Sequence, residues 1–233
     1  ILSRNDEAKI TLEDDLQNII YGINGEDSLF EFIGERIFKA LQRQNIDCHD
    51  FDKSNSRNDS PNNAQDSLKE IYENSLYFIF RLLFIAYFED KFSDILRSHR
   101  YFNAKISLNA LHSRLKEQNS QNPQHSQDSS FGGLVELSAI FRMYDKGEPN
   151  YDMPVFNGGL FDSETTRLLS LPHLFSDSDL AHILGKFFYY DDGKSLFKRD
   201  YKTLSVAHLG TIYEGLLGYF FALYVLANVV VLG

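Results

Sequence analysis

The run SLYFIFRLLFIAYF at 75–88 restricts the fold more than any other stretch. A helix through it is apolar on every side, so neighbours must cover it all round rather than along one stripe. The run is short for a membrane span and carries Arg81 at its middle, which favours a buried helix of a globular protein. The pattern predicts a central helix over about 67–97. Asp66 or Ser67 would cap it, with Glu70 three residues after Ser67 completing a capping box.

Such a helix needs amphipathic partners, and the sequence supplies them. Residues 12–44 keep a helical pattern, with Ile33, Ile37, Phe38 and Leu41 on one face. Further helices are expected over about 106–117, 134–147, 178–190 and 204–220. The last would turn Val206, Leu209, Ile212, Leu216 and Phe220 inward. Two polar stretches interrupt the series. Residues 47–66 and 117–130 are rich in Ser, Asn, Asp and Gln and read as flexible surface insertions. The uncharged end, GLLGYFFALYVLANVVVLG (215–233), is barely long enough to span a membrane. Its glycines and β-branched NVVVLG read better as a helix end entering a buried strand, as though the chain continued into a further region. The expected fold is mainly α: one irregular multi-helix domain over 1–233, with long polar insertions and a short β segment at the C-terminus.

The formal net charge of −10 argues against broad non-specific binding to a phosphate backbone. The densest basic patch is Lys194, Lys198, Arg199 and Lys202. Cys48 is the single cysteine, so no intrachain disulfide can form. The first residues lack a signal-peptide layout and no membrane segment is expected, which makes a cytoplasmic setting the default. Motifs that carry chemistry are scarce. DCHDFD (47–52) crowds its acidic and imidazole groups too closely to close around one ion and reads as a solvated loop. Asp177 and Asp179 read as caps for a helix starting near Leu180. No GxSxG elbow, Walker loop or GxGxxG is present. Glu7-Ala8-Lys9 has a spacing used in metal-dependent nucleases but lacks the upstream Asp strand. No catalytic, cofactor-binding or metal-binding residue is assigned in this chain.

Two charges sit in apolar settings, Arg81 and Glu214. Buried charges need partners. Arg81 is expected to meet Glu214 or Glu89; the alternative is a buried stem with its head in solvent. PVFNGGLFD (154–162) poses a similar question. With no Lys, no following helix and no nucleophile nearby, its glycines read as a tight turn rather than a phosphate cradle or oxyanion site. Asn157, Gly158 and Gly159 would supply positive φ, and Val155, Phe156, Leu160 and Phe161 would plug into the core.

Three blocks taken in order resemble a known family: SLYFIFRLLFIAYFEDK (75–91), PVFNGGLFD (154–162) and DYKTLSVAHLGTIYEGLLGY (200–219). They are similar to the helical connector of type IIG restriction–modification enzymes and related phage-defence adenine-specific DNA methyltransferases. The resemblance covers about 68–220. It implies a non-catalytic segment just upstream of a methyltransferase domain, holding nuclease and methyltransferase modules in register on DNA. S-adenosylmethionine and Mg²⁺ would then be cofactors of the parent enzyme. Arg81, Glu89, Asp90, Asn157, Gly158, Gly159, Tyr213 and Glu214 would be structural or interface residues. The family's (Asn/Asp)-Pro-Pro-(Tyr/Phe) motif is missing, because the prolines at 61, 123, 149, 154 and 172 are never adjacent. Two other readings remain beside this one. One is a free-standing helical interaction or regulatory protein that docks through an exposed apolar patch. The other is an enzyme whose site gathers Asp162, His173, Asp200 and Tyr201.

Overall fold

A computed structural model describes residues 11–23, 27–43, 63–96, 105–121, 130–156, 159–191, 195–205, 207–212 and 214–215. Among them the fold is mainly helical, with one short antiparallel sheet. The helices are α1 (Leu12–Tyr21), α2 (Leu29–Arg43), α3 (Asn63–Lys91), α4 (Ser93–Leu96), α5 (Leu108–Gln121), α6 (Gly132–Lys146) and α7 (Asp177–Phe188). Strands β1 (Tyr189–Asp191) and β2 (Leu196–Lys198) follow α7 directly. Cys48, the DCHDFD loop, Glu7-Ala8-Lys9 and the strand expected after Tyr224 lie outside the described residues.

The apolar run becomes α3, whose middle is buried on most sides but not all round, since Tyr77, Phe80, Phe84 and Tyr87 form a half-buried stripe. Phe78, Ile79, Leu82, Leu83, Ile85 and Ala86 are each buried. Helix α2 packs along it, and 3-10 turns at Arg167–Ser170 and Tyr201–Thr203 also pack against it. Helices α5, α6 and α7 pack together, and α1 covers α2. By length and composition α3 could cross a membrane, but 67% of its most apolar window is buried inside the protein.

Element ends follow capping chemistry that the apolar periodicity hides. The pattern over 12–44 divides into α1 and α2. Gly22 ends α1 with left-handed backbone, φ 71°, its N–H reaching Asn18 O. At the other end Thr11 and Asp14 form a reciprocal capping box. Phe38, expected inside, is 43% exposed. Helix α3 begins at Asn63, so Ser67 lies within it and is not its cap. Glu70 instead holds the Arg167 guanidinium, with Arg167 Nη2 2.9 Å from Glu70 Oε2.

Helix α7 is capped by Ser176, paired reciprocally with Asp179. Asp177 turns away to the start of α6, accepting from Gly133 N at 2.7 Å and from the Ser130 hydroxyl at 2.6 Å. A Cβ on Gly133 would stand 2.9 Å from Leu115 Cδ2 and 3.0 Å from Asp177 Oδ1, so an added methyl would have to push those side chains aside. In the hairpin, Tyr190 opposes Phe197, and their rings stack with centroids 5.4 Å apart.

Candidate functional site: a junction at the end of the central helix

The last three turns of α3 carry three polar side chains, Arg81, Glu89 and Asp90, that bond to other segments. Arg81 lies at the start of this region and is 4% exposed. Its Nε donates to Leu160 O at 2.7 Å, and its Nη2 donates to Asp162 O at 3.1 Å and to Thr166 Oγ1 at 2.5 Å. The Thr166 hydroxyl donates onward to Asp162 O at 2.7 Å. The guanidinium carbon stands 5.1 Å from the Phe141 ring centre and 5.7 Å from that of Phe161. Burial draws the Arg81 pKa down to about 10, against the pull of the Asp145 and Asp162 carboxylates, so the group stays charged near neutrality.

This geometry overturns both sequence expectations for Arg81. It pairs with neither Glu214 nor Glu89, and its head does not reach solvent. Its partners are backbone carbonyls and a hydroxyl of the segment that follows the paired glycines. Glu214, expected to be buried, is exposed. The backbone satisfies the cation because the 159–166 turn aims its carbonyls inward. Side-chain polarity along a sequence carries no trace of that arrangement.

Gly159 takes φ 73°, the left-handed region that favours glycine, while open space surrounds the position of a would-be Cβ. The turn therefore needs glycine for its backbone and not for a close approach. Phe161 is buried, and Phe156 and Leu160 pack against the core. Val155, expected to plug in, is 50% exposed. Asn157, Gly158 and Tyr213 lie outside the described residues.

Two helical turns on, Glu89 and Asp90 point to different segments. Glu89 Oε1 accepts from Leu108 N at 2.9 Å and so caps α5. Burial pushes the Glu89 carboxyl up to about 8; the nearby Asp90 charge adds to this, and the Leu108 N–H and Lys198 oppose it. Among the described residues, Glu89 Oε2 and Tyr144 Oη are both buried without a hydrogen-bond partner. Asp90 Oδ2 accepts from Tyr201 N at 3.0 Å. Tyr201 is fully buried, stacks on Phe187 with ring centres 6.0 Å apart, and donates its hydroxyl to Phe187 O at 2.6 Å. The Tyr-x-Glu-Asp end of α3 is thus a two-way clamp, on α5 and on the segment leading to the helical stretch 207–212.

Arg199 was not singled out by the sequence except as part of a basic patch. It is 3% exposed. Its guanidinium forks onto Asp15, with Nε 2.5 Å from Oδ2 and Nη2 3.1 Å from Oδ1, and also donates to the Lys186 and Tyr189 carbonyls at the end of α7. A cation there suits the negative end of the helix dipole. Lys198 stands 3.8 Å from Asp90, so of the expected patch Lys198 and Arg199 are engaged within the protein, and Lys194 lies outside the described residues. Asp162, His173, Asp200 and Tyr201 each engage different neighbours. Asp162 holds the Glu164 N–H and Thr165 hydroxyl, and Asp200 caps the Tyr201–Thr203 turn. His173 packs against Phe131 with ring centres 4.5 Å apart and planes tilted by 44°, and Tyr201 is committed to Phe187.

No protein-family description, curated protein or solved structure matches the chain.

Proposed function

We propose that the chain is a non-catalytic helical connector of a bacterial restriction–modification or phage-defence adenine-N6 DNA methyltransferase. The observation that supports this best is the meeting of the three resembling blocks in space. Arg81 ties block 75–91 to the carbonyls of the glycine turn, and Asp90 of the same block ties it to Tyr201 of the third. Polar bonds buried at such a junction fix the relative positions of several chain segments. Rigidity of that kind suits a part whose task is to hold nuclease and methyltransferase modules in register on DNA. In this reading S-adenosylmethionine, Mg²⁺ and base-specific contacts belong to the neighbouring domains of a cytoplasmic parent enzyme. Glu214, with Tyr213 beside it in sequence, would face the methyltransferase.

The reading frame of the gene tests this directly. It should continue past the codon for Gly233 into a glycine-containing loop and an (Asn/Asp)-Pro-Pro-(Tyr/Phe) motif; a stop codon there would overturn the proposal. The 233-residue chain should give no heat on titration with S-adenosylmethionine. Binding at micromolar concentration would contradict a non-catalytic role.

A further inference from the structure

Beside the junction, the end of α3 faces the turn Pro149–Tyr151 and the extended residues after it across a cavity of about 350 Å³. That volume lies within the range of small-molecule sites. Six rings line it: Phe84, Tyr87, Phe88, Phe92, Tyr151 and Phe156. Their planes fall into crossed sets. Phe84 and Phe88 are nearly parallel, at 13°, while Phe156 stands at 76° to one and 82° to the other. The rings pack edge to face on one another at these angles, and an aromatic face turned to an occupant is electron-rich. The lining contains no Lys, Arg or His, and its single charged residue is Asp152. Lys146, a few residues away, has its ammonium 2.7 Å from Asp145. An anionic ligand would therefore meet rings, Met153, Pro154 and the acidic Asp152, with no cation in the lining to favour it.

We propose that this cavity binds a small organic cation of the quaternary or N-methylated ammonium class. Ring faces around the cation supply the attraction, and Asp152 at the cavity supplies the complementary charge. The site is independent of the connector reading and would stand if that reading failed.

The protein carries two methionines, which gives a clean readout. Met153 lines the cavity and Met143 does not. With both methyl groups labelled with ¹³C, titration with benzyltrimethylammonium or choline should move the Met153 resonance saturably and leave Met143 in place. The uncharged carbon isostere of choline, 3,3-dimethyl-1-butanol, should bind about ten-fold more weakly or less. Phe92 is 40% exposed, so Phe92→Ala should leave the fold intact while weakening the cation. Asp152→Asn should also weaken the cation and not the isostere, since Asn tolerates the left-handed backbone at φ 52°. Equal affinity for cation and isostere would overturn the proposal, leaving an apolar cavity only. A Met153 signal that no probe moves, or an affinity unchanged in Phe92→Ala, would overturn it too.

Discussion

Replacing Arg81 with Met tests the junction most sharply, because Met keeps much of the apolar stem and removes only the fork. The change strips Leu160 O of its 2.7 Å donor. Asp162 O loses its 3.1 Å donor but keeps the Thr166 hydroxyl at 2.7 Å, and Thr166 Oγ1 keeps that donor role while losing its acceptor contact. One buried acceptor is thus left fully unpaired and two are left partly satisfied, at about 1–3 kcal/mol for a full loss. Relief of the guanidinium's own burial offsets part of this. The estimate is about 3 kcal/mol, the sum of one full and two partial losses of buried acceptors less that relief. For a chain of this size that lowers Tm by about 6–12 °C. Urea unfolding followed by far-ultraviolet circular dichroism, with an unchanged m-value, measures it. Glu214→Gln should shift stability by less than about 0.5 kcal/mol, as exposed substitutions do, and the double variant should be additive. A loss below about 0.5 kcal/mol for Arg81→Met, or coupling to Glu214 above that size, would refute the reasoning.

Glu89 has a raised pKa in the folded protein, so its contribution is fully present below the unfolded value of 4.5 and is lost as pH rises through about 8. Glu89→Gln, which keeps an acceptor for Leu108 N, should flatten the decline in stability across that window when Tm is recorded against pH. His112 behaves oppositely. Burial lowers its pKa, so its contribution is present above 6.5 and is lost as pH falls through the depressed value, and His112→Gln should soften the acid limb of the same profile. The two glycines should separate by mechanism. Gly159→Ala meets open space and pays only for its left-handed backbone, about 1 kcal/mol, whereas Gly133→Ala forces Leu115 and Asp177 apart and should cost about 1–3 kcal/mol by urea titration. Asp177→Ala removes the 2.7 Å cap on Gly133 N and should cost about 1–2 kcal/mol in the same assay.

What could be read from the sequence divides along a physical line. Apolar periodicity reports which face of a helix is inward, and it located α6 and α7 to within a few residues, while the single helix expected over 67–97 divides into α3 and α4. Leu137, Phe141, Leu180, Ile183 and Phe187 are all buried as the spacing requires. Periodicity does not report where hydrogen bonds go. Gly22 breaks the 12–44 pattern through a backbone conformation, and Ser176 takes the cap expected of Asp177 because one residue's shift decides which oxygen meets the free N–H groups. Arg81 was recognisable as a buried charge needing satisfaction. Its partners were not recognisable, because carbonyls belong to every residue type equally. The same blindness hid Arg199, whose neighbours Lys198 and Lys202 made it look like one more surface cation.

The Tyr-x-Glu-Asp stretch shows why such a junction is difficult to infer from composition. Its two carboxylates are adjacent in sequence, which ordinarily suggests a solvated acidic pair. On a helix, adjacent side chains diverge by about 100°, so one can point inward while the other reaches a different neighbour. Glu89 enters the core and meets the start of α5, and Asp90 meets Tyr201. The divergence makes one short motif a connection among three chain segments. Removing either carboxylate should therefore free a different segment: Glu89→Ala should raise amide exchange at Leu108 and Ala110, and Asp90→Ala at Tyr201 and Leu204. If both variants loosened the same amides, the two-way clamp would be wrong.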